Sequence, residues 1–219
     1  MAPHSNDPDR VATLIGDVVR SREHDDREAL HDRLVAAIDH VNAATRPARP
    51  LHIVLGDEYQ GTFATVGQAI DAAMTLRLHL APGIEVRHGI GWGPVIQLDD
   101  ATSDGPGWWA ARRAITEVHD DEEKAALRLT RTAYAAADGD DGAGGPTAAA
   151  VNAALRCQDH LVGSCDERSV RILRRLMAGE AQVRIAAAEG ISPSAVSQRI
   201  RTDGLAVIAL SHDLLRSMS

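Results

Sequence analysis

Between residues 11 and 98 the chain switches between strand-like and helix-like hydrophobic periods in an order that few architectures can satisfy. VATLIG (11–16) is a short apolar run ending at Asp17 and reads as a buried strand. In DREALHDRLVAAIDHVNAA, Leu30, Leu34, Ile38 and Val41 share one helical face. TRPARP ends that helix, LHIVLG reads as a second strand, GDE as a tight turn, and YQGTFA as a third strand pairing back as a hairpin. A second helix follows in VGQAIDAAMTLRLHLA, with Val66, Ile70, Ala73, Met74 and Leu78 on its apolar face, and Pro82-Gly83 stops it. IEVRHGIGWGPVIQL alternates as a fourth strand. The order β-α-β-β-α-β predicts an α+β fold with the ferredoxin-like arrangement, an antiparallel sheet with helices on one face.

Beyond that unit, GPGWWAARRAITEVHDDEE reads as helical from about Trp108, and AALRLTRTAYAAA as a further strand. Residues 1–10 are expected to be disordered, 11–137 to form the sheet domain, 138–147 (DGDDGAGGPT) to act as a loop or linker, and 148–219 to form a helical domain. Within the last, SVRILRRLM predicts an amphipathic helix, and QVRIAAAEGISPSAVSQRIRTD (182–203) has the pattern of a helix-turn-helix. Gly190 stands where the turn needs positive φ, and Ser192-Pro193 combine an N-cap with a proline at the first helical position. Val196 and Ile200 face inward. Ser192, Ser194, Ser197, Gln198, Arg199 and Arg201 are then the candidate contacts to double-stranded DNA, through base edges and phosphates in a major groove. An amphipathic hairpin buried in a core satisfies the same spacing.

Charge separates the two parts. The chain carries a formal net charge of −8, yet residues 166–219 hold eight arginines against six acids, so the excess of acid lies entirely upstream. Nucleic-acid contact therefore belongs to the C-terminal part. So small a positive excess gives little non-specific affinity, which favours two such modules in a homodimer. No apolar run reaches the roughly 18 residues of a membrane span, and the first ten residues lack the apolar stretch of a signal peptide. Cys157 and Cys165 lack metal-ligand spacing and read as thiols of a cytoplasmic protein.

Chemistry concentrates at two acidic positions. Asp17 ends the first strand, Asp57-Glu58 occupies the hairpin turn, and the predicted topology sets those strands side by side. Two carboxylates held close together repel unless a cation lies between them. Mg²⁺ suits such a pair, taking one or two carboxylates together with waters and a nucleotide's phosphates. Turn chemistry at Asp57-Glu58 and a strand end at Asp17 account for the same residues without a ligand. Trp108 and Trp109 offer nucleobase stacking, core packing or a dimer contact. Arg112 and Arg113 are phosphate clamps or solvated charges. His52, His79 and His88 read as core or edge histidines, and the alternating Gly89, Gly91 and Gly93 as a bulge or a close backbone approach to a ligand.

IGDVVRS, GDEYQG, EVRHGIGWGPV and DGPGWWAARRAI, followed by the helix-turn-helix pattern, resemble the SatD family over roughly residues 11–210. More distantly, the N-terminal motifs are similar to the palm-fold catalytic domains of class III nucleotidyl cyclases and GGDEF diguanylate cyclases. That resemblance implies Asp17 and Asp57 as metal-binding aspartates, the Val18 carbonyl as an extra ligand, and Glu58, Trp109, Arg112 and Arg113 around a nucleotide. The cyclases place an asparagine four residues before an arginine on the helix after the fourth strand. Matched to that pattern, Arg113 is the candidate catalytic arginine and Trp109 replaces the asparagine. Leu55-Gly56 supplies one glycine where GGDEF has two, and no lysine is available for purine selection. The reading is a DNA-binding transcriptional regulator whose sheet domain binds a nucleotide with Mg²⁺ or serves as a dimerisation platform. The alternative is a cyclase-like phosphoryl-transfer enzyme with an appended DNA-binding module.

Overall fold

The computed structural model describes residues 10–99 and 102–219, apart from the side chains of 140 and 141. The expected disordered N-terminus lies outside these residues up to position 9, and Arg10 already opens a strand. In order come β1 (Arg10–Val18), α1 (Arg27–Thr45), β2 (Arg49–Leu55), β3 (Glu58–Phe63), α2 (Val66–Leu80) and β4 (Val86–Pro94). A two-stranded ribbon follows, β5 (Ile96–Gln97) with β6 (Ser103–Asp104), then α3 (Pro106–Glu122) and β7 (Thr132–Ala136). The chain continues with α4 (Ala148–Gly163), α5 (Glu167–Met177), α6 (Gln182–Glu189), α7 (Pro193–Thr202) and α8 (Leu205–Arg216).

The main sheet has the strand order β2-β3-β1-β4-β7. β1 is antiparallel to β3, with Gly16 opposite Tyr59, and antiparallel to β4, with Asp17 opposite Arg87. Two expectations are corrected here. The sheet is not wholly antiparallel, because β7 joins β4 in parallel, a pairing that requires the crossover α3 supplies. Nor do the helices share one face. Ala12, Leu14 and Val18 of β1 enter the core beneath α1 and α2, whereas Ile15 packs with Trp108, Ala111 and Ile115 of α3 on the other side.

The alternating glycines of β4 explain how close α3 comes. A Cβ on Gly89 or Gly91 would collide with the α3 backbone at Ala111 or Gly107. The close approach foreseen from their spacing is therefore made by a helix, not by a ligand. Thr13 Oγ1 donates to the Gly107 carbonyl at 2.9 Å and ties the first turn of α3 to β1.

Val151 and Leu155 of α4 belong to the main core, as does Leu215 of α8. The expected linker at 138–147 thus does not coincide with a break between cores. A second core gathers Ile172, Leu173, Ile185, Val196, Ile200 and Ile208, and it includes Met74 and Leu78 of α2. Buried Arg77 of α2 bonds Asp159 of α4 at 2.6 Å, and the other Asp159 oxygen accepts the Arg131 and Thr132 amides at 2.7 and 2.8 Å. Between α6 and α7, Gly190 has φ 65°, Ser192 Oγ accepts the Ala195 amide, and Val196 and Ile200 are buried. None of the described helices is long and apolar enough to cross a membrane.

Candidate functional site

The candidate site lies where β1 ends, beside the β2–β3 hairpin and under the middle and end of α3. Asp57 Oδ2 accepts the Val18 amide at 3.1 Å, so the hairpin carboxylate is fastened to the strand that carries Asp17. Asp17 meets two partners: Arg87 Nε at 2.7 Å on Oδ1 and His119 Nε2 at 3.1 Å on Oδ2. Arg87 also reaches Glu122 at 2.6 Å. Burial works against the Arg87 charge, but Asp17 and Glu122 outweigh it and hold the guanidinium above its usual pKa. Charge expected to draw a metal ion is thus met from within the chain.

Fit to Mg²⁺ can be judged on these donors. Among the described residues no group of three His, Cys, Asp or Glu side chains is arranged to hold a metal. An ion that completes its shell with water and phosphate oxygens needs only one or two carboxylates, and to serve as one Asp17 would have to give up Arg87 or His119. Val18, whose carbonyl the family resemblance offers as a ligand, contributes an amide to Asp57 here.

The two arginines of α3 part company. Arg112 makes a two-pronged bond to Glu58, Nη2 to Oε1 at 2.7 Å and Nη1 to Oε2 at 3.1 Å. That bond raises the Arg112 pKa against the opposing effect of burial. Arg113 turns to the far edge of the sheet, donating to the Ala136 carbonyl at 2.7 Å and approaching Asp138 at 3.5 Å. Arg113, the candidate catalytic arginine, thus stands away from Asp17 and Glu58: one residue along a helix rotates a side chain by about 100°, and Arg112 is the one brought to the acidic side. Trp108 lies four residues before Arg112 on α3. Its indole is 8% exposed, packed on Ile15, with Nε1 donating to Ser103. Trp109 is 60% exposed, one turn before Arg112, with Nε1 bonded to Asp104 at 2.9 Å.

Beside Asp17 opens a cavity of about 620 Å³ in which Arg20, Arg87, Arg128 and Arg131 face Glu85 and Glu122. Arg131 bonds both of these acids, at 2.6 and 2.8 Å. Arg20 and Arg128 are exposed and have no carboxylate partner among the described residues. Arg20 holds φ at 52°, a left-handed conformation that is costly for a residue with a Cβ. The sequence reading missed Arg20, Arg128 and His119. His119 lies two turns along α3 from Arg112, a spacing that could have found it.

Beneath the site, the buried Tyr59 hydroxyl lies 2.8 Å from His88 Nε2. Burial, with the charges of Asp17 and Asp57, raises the Tyr59 pKa, while burial and Arg77 push His88 down to about 3. A protonated phenol therefore donates to a neutral imidazole. Of the remaining histidines, His52 lies exposed on edge strand β2 and His79 stacks on His40.

Among the candidate DNA contacts, Ser194, Gln198 and Arg201 are exposed on α7, and Ser197 is half-buried. Arg199 is turned inward: it bonds Asp166 at 2.9 Å and Ser169, so it braces α7 against the start of α5. The Ser169 amide and Arg199 together hold Asp166 at a pKa of about 2. Ser192 spends its hydroxyl on the cap of α7. Arg184 on α6 is exposed without a carboxylate partner among the described residues, and the sequence reading had not singled it out.

Together these features define an α+β protein with an acidic hairpin and an arginine-lined cavity at one end of its central strand. The chain belongs to the SatD family, whose model matches residues 11–214. Among solved structures it is similar to a bacterial light-regulated adenylyl cyclase, with 15% identity and TM-score 0.40, over 61% of this chain and 46% of that one. It is also similar to the active GGEEF domain of a diguanylate cyclase from Vibrio cholerae, at 10% identity and TM-score 0.44, over 59% of this chain and 84% of that domain. The catalytic core of a rhodopsin-guanylyl cyclase is a third, at 18% identity and TM-score 0.41, over 52% of this chain and 76% of that one. No curated protein matches the chain in sequence.

Proposed function

We propose that the chain binds a nucleoside triphosphate at the end of β1. The observation that carries this is the gathering, at one end of the sheet, of the Asp17 and Glu58 carboxylates bonded to Arg87 and Arg112, with Asp57 fastened to Val18, beside a cavity lined by Arg20, Arg87 and Arg128. Arginine forks match phosphate oxygens, and Arg20 and Arg128 need give up no carboxylate to take them. Asp17 and Asp57 would hold Mg²⁺ against those phosphates, the ion supplying charge neutralisation. Arg87 and His119 are then the latch that nucleotide and Mg²⁺ must release. Exposed Trp109 offers a face on which a base can stack. Calorimetry of the full chain with ATP and with GTP, Mg²⁺ present, tests this. Binding is expected for one or both, weakened about tenfold or more in Arg112→Gln, the worth of a hydrogen bond between charged groups. Absence of heat with either nucleotide overturns it.

The output we assign to this binding is transcriptional regulation in the cytoplasm. α6 and α7 then act as the helix-turn-helix, with Ser194, Ser197, Gln198, Arg201 and Arg184 toward double-stranded DNA. Support comes from their exposure and from the short turn at Gly190. A homodimer suits the small positive excess of this end. Val207, Leu210 and Leu214 form an exposed apolar stripe on α8 that a second copy would cover.

A second reading is turnover, a nucleotidyl-cyclase-type transfer. It is favoured by the two aspartates and by Arg112 beside them, and opposed by Trp109, which stands where the family resemblance expects an asparagine. Incubation with labelled ATP or GTP and Mn²⁺ separates the readings. A cyclic or oligomeric product that vanishes in Asp57→Asn makes the chain an enzyme. Tight binding without product makes it a sensor.

A further inference from the structure

A second cleft, of about 740 Å³, lies between α1 and α2 on one wall and the end of α5 with α8 on the other. It shares no residue with the cavity beside Asp17. Its lining comes from α1, α2, the end of α5 with the turn after it, and α8, so a molecule seated there touches the first two helices and the C-terminal helices at once.

The charges of this cleft are unequally matched. Each carboxylate has a cationic or imidazole partner: Asp71 meets His212 at 2.8 Å, Glu180 meets Arg175 at 3.0 Å, and Asp213 meets Arg216 at 2.8 Å. Arg174, half-buried on the last turn of α5, has no carboxylate partner among the described residues. Beside it the rings of His40 and His79 stack, centroids 4.0 Å apart and planes 23° from parallel. His212 is 2% exposed, and its buried Nδ1 has no partner among the described residues. Burial first, then the His40 ring and the Arg174 charge, lower the His79 pKa. No three His, Cys, Asp or Glu side chains among the described residues are arranged around a metal ion, so a cation is the poorer fit.

We propose that this cleft binds a small multivalent oxyanion, anchored by the Arg174 guanidinium and flanked by the imidazoles of His40 and His79. A half-buried guanidinium without a carboxylate partner favours an oxygen pair it can fork, and the imidazoles add donors beside it. The volume is that of a metabolite site, larger than a single phosphate requires. Such a ligand spans from α1 and α2 to α5 and α8, and its binding would bias how these helices sit on one another.

The test follows the imidazole resonances of the full chain by NMR during separate titrations with pyrophosphate and with citrate. Saturable shifts of His40 and His79 with either anion support the site, and the stronger of the two identifies phosphate or carboxylate chemistry. His24 and His119 report occupancy near Asp17 and so keep the two sites apart. Arg174→Met should weaken the response at least tenfold, and His79→Gln should weaken it as well, while Arg168→Met, outside the cleft, leaves it unchanged. Absence of saturable shifts at His40 and His79 with both anions overturns the proposal. So does a response that Arg174→Met leaves intact.

Discussion

At Asp17 one oxygen meets Arg87 and the other His119, so its charge is answered from β4 and α3, while Asp57 takes the Val18 amide of β1. The sequence placed both aspartates and the hairpin glutamate correctly at one end of the sheet, because strand alternation and turn chemistry are local. It could not tell Arg112 from Arg113, since that choice depends on the rotation of α3 over β4. Below them, His88 makes a pH prediction. Its folded pKa of about 3 lies below the unfolded value of 6.5, because burial and Arg77 disfavour the charged ring. Below pH 6.5 the unfolded chain therefore takes up a proton that the fold refuses, and stability declines from there toward pH 3. Urea unfolding at pH 7 and pH 4.5 should show the wild type losing about 2.5 kcal/mol more than His88→Gln, roughly 1.4 kcal/mol for each pH unit below 6.5. Equal slopes would show that His88 does not resist protonation in the fold.

The element that organises the site is α3. Its N-terminal half lies against the glycine track of β4, which brings Arg112 over Glu58 and His119 over Asp17. Gly91→Ala forces a methyl into the space occupied by the backbone at Gly107 and Ala111. Denaturant titration should show about 1–3 kcal/mol of lost stability or more. The same substitution should weaken nucleotide binding, because a shifted α3 moves Arg112 as well. A neutral Gly91→Ala would mean that α3 does not lie so close. The glycine spacing was legible in the sequence, but its partner was not: a strand surface without side chains announces close approach, not what approaches. Helix α7 shows the converse case. Its cap and buried positions followed from Ser192, Pro193, Val196 and Ile200, yet Arg199 belongs to the brace on Asp166 because α5 lies beneath it.

At the scale of the whole molecule, α2 joins the parts. It lies under the sheet, carries Arg77 to the buried Asp159, and lends Met74 and Leu78 to the core of the C-terminal helices. The end of β1 and helices α6 and α7 therefore share one continuous packed structure. That continuity escaped the sequence, in which DGDDGAGGPT looks like a boundary while the contacts that cross it lie some 80 residues apart. The central claim is that a nucleotide's phosphates enter among Arg20, Arg87, Arg112 and Arg128 with Asp17 released. A crystal structure of the full chain grown with Mg²⁺ and a non-hydrolysable GTP or ATP analogue tests it most directly. The account predicts phosphate density against those arginines and an Asp17 carboxylate turned from Arg87 or His119 to the metal. Nucleotide bound elsewhere, with Asp17 still held by both Arg87 and His119, would contradict it.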